Sequence, residues 1–240
     1  MGSEARPDGS VLRARAAEVL ARIERAAHRA GRDPARVQLV AVSKTHPAAL
    51  VREAAAAGLK VFGENRVQEA EGKIGELRDV PELRWHLIGH LQPNKARKAA
   101  RLFDLIHSVD GAALAERLER ICTEEGRESL DVLVQVDLAG EATKSGATPE
   151  ELPSLFEVFG RSTRVRCKGL MILPPFFDDA QRVRPFFRRL RELSEEWGAR
   201  GAFGEGAGEL SMGMSHDYEV AIEEGATLVR VGTALFGERE

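Results

Sequence analysis

The chain has 240 residues, of which 43% are hydrophobic and 30% charged, with a formal net charge of −3. That supplies one sizeable core, and the near-neutral balance argues against nucleic acid or an anionic membrane as partner. Two cysteines, Cys122 and Cys167, without CxxC or metal-ligand spacing, fit buried thiols in a reducing cytoplasm, and no apolar stretch has the length of a membrane span.

Residues 1–9 read as a frayed tail. Met1-Gly2-Ser3 hints at myristoylation, but Arg6 stands where that motif wants Ser or Thr. Ser10 is placed to cap a first helix whose apolar face is Leu12, Ala16, Val19, Leu20, Ile23 and Ala27, with Gly31 as its stop. The first strand follows in Val37-Gln38-Leu39-Val40-Ala41-Val42, apolar enough to be buried on both faces as in a parallel sheet. Ser43-Lys44-Thr45-His46-Pro47 comes next, so Lys44 enters the carboxyl-terminal mouth of the sheet. Pro47 then opens a helix over residues 48–57 that Gly58 stops.

Seven more apolar runs follow, at 61–62, 85–88, 105–106, 132–136, 169–173, 209–212 and 228–231, most separated by helical patterns such as 112–125 and 183–197. Continuous βα alternation implies a parallel sheet. Eight units in this length favour a single (β/α)8 TIM barrel over residues 10–240, with a doubly wound open sheet as the alternative. The glycine-rich stretch 198–208 reads as a flexible loop; it neither follows a strand nor opens a helix, which argues against a dinucleotide fingerprint.

Chemistry concentrates after the predicted strands. Ser215 is a good N-cap for a helix over 216–224 that Gly225 ends, and the eighth strand leads into Arg230-Val231-Gly232-Thr233. In barrels the loops after strands 7 and 8 form the common phosphate site. Ser215 hydroxyl, the helix amides and the Gly232-Thr233 backbone are candidate donors. Taken singly, each motif is capping or turn chemistry. Together with Lys44 they are the equipment for holding pyridoxal phosphate.

Other polar residues divide between site and surface. Asn65, just after the second strand, either positions a ligand group or stabilises a turn. His86 is placed at the barrel mouth, and its spacing from His90 across a strand end does not suit a shared metal. Met171 reads as packing at the sixth strand. Lys144, on the same rim as Lys44, is either an exposed loop lysine or a second, transient cofactor acceptor. Residues 94–101 form a basic cluster on a solvated face, and His46 and Glu64 receive no role.

The motifs Ala41-Val42-Ser43-Lys44-Thr45, Phe62-Gly63-Glu64-Asn65-Arg66-Val67-Gln68-Glu69 and Trp85-His86-Leu87-Ile88-Gly89-His90-Leu91-Gln92-Pro93-Asn94-Lys95 resemble the YggS/PROSC family of pyridoxal phosphate homeostasis proteins. So do Lys144-Ser145-Gly146, Gly169-Leu170-Met171, Leu210-Ser211-Met212-Gly213-Met214-Ser215 and Arg230-Val231-Gly232-Thr233. The resemblance runs from Ser10 to Gly237. It implies the barrel of the alanine racemase fold without that enzyme's second domain. It also implies Lys44 as the cofactor-bearing lysine (an internal aldimine), Ser215 with Gly232-Thr233 at the phosphate, and Arg230 at the pyridine nitrogen. Asn65, His86 and Met171 complete the implied cofactor site. Arg66 departs from the family, where many members carry Tyr, and the 198–208 loop is longer than in the family.

The implied function is cytoplasmic holding and supply of the cofactor by a monomer, with apo pyridoxal enzymes as possible recipients and no metal. No catalytic residue is assigned. The competing readings are a racemase-like pyridoxal enzyme and a cofactor-free Schiff-base aldolase. The first of these would need a second base on the far side of its substrate, and the only tyrosine, Tyr218, is predicted to pack inside a helix.

Overall fold

Eight parallel strands close on themselves in a computed structural model of the chain, which describes residues 9–140, 145–204 and 206–237. They are β1 (Gln38–Val42), β2 (Val61–Glu64), β3 (Arg84–Leu87), β4 (Leu105–Val109), β5 (Leu130–Val136), β6 (Val165–Ile172), β7 (Glu209–Met214) and β8 (Leu228–Val231). Each pairs in parallel with its neighbour in sequence, and β8 pairs with β1 to close the ring. This is the (β/α)8 barrel, not the open sheet.

Helices α2 (Ala48–Ala56), α3 (Val67–Glu76), α4 (Ala96–Leu102), α5 (Ala112–Glu124), α6 (Leu152–Arg161), α7 (Arg184–Ala199) and α8 (Tyr218–Glu223) lie between consecutive strands. A short α9 (Thr233–Phe236) follows β8, and α1 (Gly9–Arg29) precedes the barrel and packs across α8 and α9. Pro47 stands at the N-cap of α2 and Gly58 follows its end at φ +96°, a left-handed conformation that glycine adopts without a Cβ penalty.

Outward-facing strand residues and the inner helix faces make the main core, and Val40, Val61, Leu105, Leu133, Met171 and Leu228 form a separate apolar cluster inside the barrel. Both cysteines are buried and free, and burial pushes the Cys167 thiol up to about 12. Among the described residues no helix is long and apolar enough to cross a membrane.

Several expectations need correction. Helix α1 already includes Gly9, so Ser10 lies inside it and the helix reaches into the expected tail; residues 1–8 lie outside the described residues. Leu20 is 46% exposed, because α1 buries a narrower stripe through Ala16, Val19, Ile23, Ala26 and Ala27. Strands β2, β4 and β7 run on past their apolar runs through Gly63-Glu64, His107-Ser108 and Gly213-Met214. Those residues are buried inside the fold, Met214 only in part, so hydropathy alone ends the strands too early.

The 198–208 stretch is also not a simple loop. Its first two residues belong to α7, and Phe203 is buried 5.8 Å from the Phe156 ring in an edge contact. It borders the amino-terminal end of the barrel, with Gln38, Arg84 and Leu228, and so lies away from the mouth. The basic residues of α4 are paired: Arg97 with Glu124 and Glu125, Arg101 with Glu125, and Lys98 with Glu71.

Candidate functional site

Lys44 stands two residues beyond β1, half-buried, at the carboxyl-terminal end of the barrel. The backbone around it is held from the outside of the barrel wall. Lys73 of α3 donates to Ser43 O at 2.6 Å, to Glu64 Oε1 at 2.7 Å and to Glu69 Oε1 at 2.7 Å. Ser43 Oγ donates to the same Glu64 oxygen at 2.6 Å, and the Thr45 amide donates to Glu69. An ammonium has three protons, and each here has an acceptor.

Glu64 is fully buried and Lys73 nearly so, at 0% and 5% exposure. Burial raises the Glu64 carboxyl above its usual range, outweighing the opposing pull of Lys73 and Ser43. Thr45 has φ +69°, the one positive value among the described non-glycine residues. Such a backbone persists where its surroundings hold it. Here the clamp of Lys73, Glu64 and Glu69 grips both neighbours of Lys44. The sequence hides this clamp, because Glu69 and Lys73 have the i,i+4 spacing of an ordinary solvated helix pair.

Beside Lys44, the loops after β7 and β8 meet. Ser215 does not cap its own helix, since α8 begins at Tyr218 with Asp217 at its N-cap. Instead Ser215 Oγ accepts from the Gly232 amide at 3.1 Å and the Ala234 amide at 3.4 Å. The turn between is closed by the Met214 amide donating to Asp217 Oδ1 at 2.6 Å. Val40 pairs with Arg230 and Ala41 with Val231, so Gly232 falls beside Val42. A Cβ on Gly232 would sit 3.4 Å from Val42 Cβ. The Ser215 hydroxyl, these amides and Thr233 at the start of α9 therefore lie next to the strand that delivers Lys44.

Arg230 projects into the barrel two residues before Gly232 and is only 3% exposed. Its Nη1 donates to Ser211 Oγ at 2.6 Å and its Nη2 to Ile172 O at 2.8 Å. Burial lowers its pKa to about 10, partly offset by Asp217, so it stays cationic at neutral pH.

His86 is not at the mouth. It lies inside the barrel at 6% exposure and borders the amino-terminal cavity beside Val61 and Leu105. Its Nδ1 is 3.0 Å from His107 Nε2, and His107 Nδ1 is 2.8 Å from Ser211 Oγ. Burial pushes His86 down to about 4, and burial with the neighbouring His86 and Arg230 holds His107 well below the usual histidine range.

Met171 is fully buried in the interior apolar cluster, paired across strands with Gln135 and Ser211. Asn65 sits at the rim after β2, and the β3 loop closes against it: a Cβ on Gly89 would come within 2.4 Å of Asn65 O. Lys144 lies outside the described residues. His90 pairs with Asp110 at 3.2 Å, and among the described residues no three His, Cys, Asp or Glu side chains gather as metal ligands. Tyr218 is buried beneath Arg22 of α1, 5.2 Å from the guanidinium carbon to the ring centre, between α1 and α8. The sequence motifs contain Ser211 but give it no role, and they do not include His107. Alternation along β4 from the interior Leu105 points His107 inward, which is the pattern that could have found it.

The alanine racemase N-terminal domain family model matches residues 16–240. A pyridoxal phosphate homeostasis protein of Pseudomonas aeruginosa is 51% identical over 224 residues, covering 93% of this chain and 94% of its own. Its namesake in Aquifex aeolicus is 46% identical over 226 residues, covering 94% and 97%. The structure of PipY of Synechococcus elongatus with pyridoxal phosphate bound superposes with a TM-score of 0.79 at 47% identity, covering 90% of this chain and all of that one. Alanine racemase of Corynebacterium glutamicum shares the fold at a TM-score of 0.64 and 19% identity, over 92% of this chain and 61% of its own. The chain thus belongs to the alanine racemase N-terminal domain family, in its YggS/PROSC branch of pyridoxal phosphate homeostasis proteins.

Proposed function

We propose that this protein holds pyridoxal 5'-phosphate on Lys44 at the barrel mouth and keeps it available in the cytoplasm, without substantial turnover of amino acids. The observation that carries the reading is convergence at one end of one barrel. Lys44, the Ser215-bridged amides of Gly232 and Ala234, and buried Arg230 all come from β1, β7 and β8 and their loops. PipY, 47% identical, binds that cofactor.

In this reading Ser215, Gly232 and Thr233 take the phosphate, Arg230 faces the pyridine nitrogen, and Asn65 lies beside the ring at the rim. Pyridoxal phosphate supplies an electron sink to whatever amine it is joined to, most strongly when its ring nitrogen is protonated. Arg230 only donates hydrogen bonds and stays charged, so a ring nitrogen facing it stays unprotonated and carbanion chemistry is disfavoured. Buried Tyr218, held between α1 and α8, is not placed as a second base. Lys144, after the fifth strand in sequence, is either an exposed loop lysine or a second, transient acceptor. We read the protein as a monomer that passes cofactor to apo enzymes.

The test is the absorption spectrum of the purified protein before and after borohydride. A visible band fixed at Lys44, lost in Lys44→Ala with the fold retained, supports the reading. A colourless protein that added cofactor does not change overturns it. Reactivation of an apo pyridoxal enzyme by the loaded protein tests supply. Racemisation on the order of 1–1000 per second would make it an enzyme instead.

A further inference from the structure

The barrel interior carries a line of polar groups that ends on Arg230. Arg230, Ser211, His107 and His86 are linked in succession at 2.6, 2.8 and 3.0 Å, and each is at least nine-tenths buried. They come from β8, β7, β4 and β3, so the line spans the barrel lumen. The neighbouring lumen residues Val40, Val61, Leu105, Leu133, Met171 and Leu228 are all apolar.

The direction of every link follows from the chemistry of its first donor. A guanidinium has no acceptor, so Ser211 Oγ accepts from Arg230. Ser211 still has one hydroxyl proton, and His107 Nδ1 is the remaining partner the structure gives it among the described residues. His107 Nδ1 therefore accepts, its proton sits on Nε2, and that proton is donated to His86 Nδ1. His86 in turn carries its proton on Nε2, towards the amino-terminal cavity. Both imidazoles are neutral, in keeping with the burial and the nearby cation that hold them unprotonated.

Arg230 is thus gripped by two neutral acceptors, Ser211 Oγ and Ile172 O. Fixed neutral acceptors set the guanidinium's orientation, and Asp217, whose charge partly offsets the burial of Arg230, is the carboxylate that acts on it. A lumen selected only for stability would be filled with aliphatic side chains, because a buried polar chain at best breaks even against them.

We infer that Ser211 and His107 are positioning residues that hold Arg230 against the bound cofactor ring, with His86 anchoring the chain at the far end of the barrel. The inference rests on the proposed cofactor site and deepens it. Ser211→Ala and His107→Phe should shift the pH titration of the visible band and speed cofactor release on the order of tenfold, the equivalent of one lost hydrogen bond to a charged group. His107→Asn should restore wild-type behaviour, since its Oδ1 can accept the Ser211 proton as Nδ1 does. Imidazole nitrogen shifts by NMR at neutral pH should show both histidines neutral with the proton on Nε2, a readout independent of cofactor.

Variants that lose melting temperature but keep the wild-type titration and release would assign the line to packing and overturn the inference. A His107→Asn protein that behaves like His107→Phe, or a proton on Nδ1 of His107, would overturn it too. A wild-type protein with no visible band fails the parent reading instead, and the two failures are distinct.

Discussion

Replacing Lys73 by methionine isolates what the clamp outside the barrel wall contributes. Methionine keeps most of the apolar stem and removes the ammonium, and with it the three hydrogen bonds to Ser43 O, Glu64 Oε1 and Glu69 Oε1. Glu64, fully buried, keeps only the Ser43 hydroxyl. Breaking a buried pair in this one-sided way costs about 3–5 kcal/mol, because a buried charge is left uncompensated. For a chain of this size that is a fall of roughly 6–20 °C in melting temperature. Glu64→Gln removes the stranded charge, so the double variant Glu64→Gln/Lys73→Met should recover part of the loss, with a coupling of about 0.5–3 kcal/mol. Because burial already raises the Glu64 carboxyl, the deficit of Lys73→Met should also shrink as the pH is lowered and Glu64 takes a proton. Thermal melts of the wild type, both single variants and the double variant at neutral and mildly acid pH decide the matter. A Lys73→Met protein within about 1 kcal/mol of wild type, the range of a surface pair, would refute the buried-clamp reasoning. So would a double variant no more stable than the single one.

Acid should destabilise the fold through His86: its folded pKa of about 4 lies below the unfolded value of 6.5, so its contribution is complete above 6.5 and is lost as the pH falls through 4. That difference amounts to about 3 kcal/mol, and His86→Asn, which keeps an acceptor for His107, should flatten the slope of stability over that window. Ser215→Ala should weaken cofactor binding by about 1.5–3 kcal/mol and lower stability by about 1 kcal/mol through the lost acceptor for the Gly232 and Ala234 amides. Equilibrium titration and melting measured separately tell these apart, and unchanged affinity would leave Ser215 with the loop-tying role alone. Phe203→Ala should cost about 3–5 kcal/mol in a urea melt, since the ring is buried against Phe156; a cost under about 1 kcal/mol would restore the picture of a loosely held loop.

The barrel was legible because its strand cores are predominantly apolar runs and its helices begin and end on Pro47, Gly58 and their like. Lys44 was legible only in company: a lysine just beyond a largely buried strand reads equally as solvated, and it is the loops after β7 and β8 that draw it to the mouth. What stayed hidden has one physical cause. Glu64, Lys73, His107 and Ser211 are polar residues buried by partners distant in sequence, and hydropathy assigns such residues to surfaces or strand ends. His86 was misplaced by the same rule, put at the mouth when it is held inside the barrel by His107. Ser215 shows a subtler limit. Its local pattern spells an N-cap for α8, yet its hydroxyl serves amides 17 and 19 residues later, a pairing set by β7 lying next to β8.

The two buried polar systems lie on opposite faces of the same wall and act on the same end of the barrel. Along β2, Val61 faces the lumen while Phe62 and Glu64 face the helices, so the clamp under Lys44 is outside the strands. Along β8, Leu228 and Arg230 share the lumen face, so the line that ends on Arg230 is inside. A strand's alternation makes this division possible: successive residues serve different layers without competing for space. Each system also uses its charge differently. Outside, Lys73 is matched by carboxylates and what is fixed is backbone, at Ser43 and Thr45. Inside, Arg230 is hydrogen-bonded only to neutral oxygens, with Asp217 acting on it through charge alone, and what is fixed is the direction of the guanidinium. A lysine whose backbone path is fixed and a cation whose direction is fixed are the two properties the proposed cofactor site would use. The barrel supplies them from separate layers, so either can be perturbed without unmaking the other.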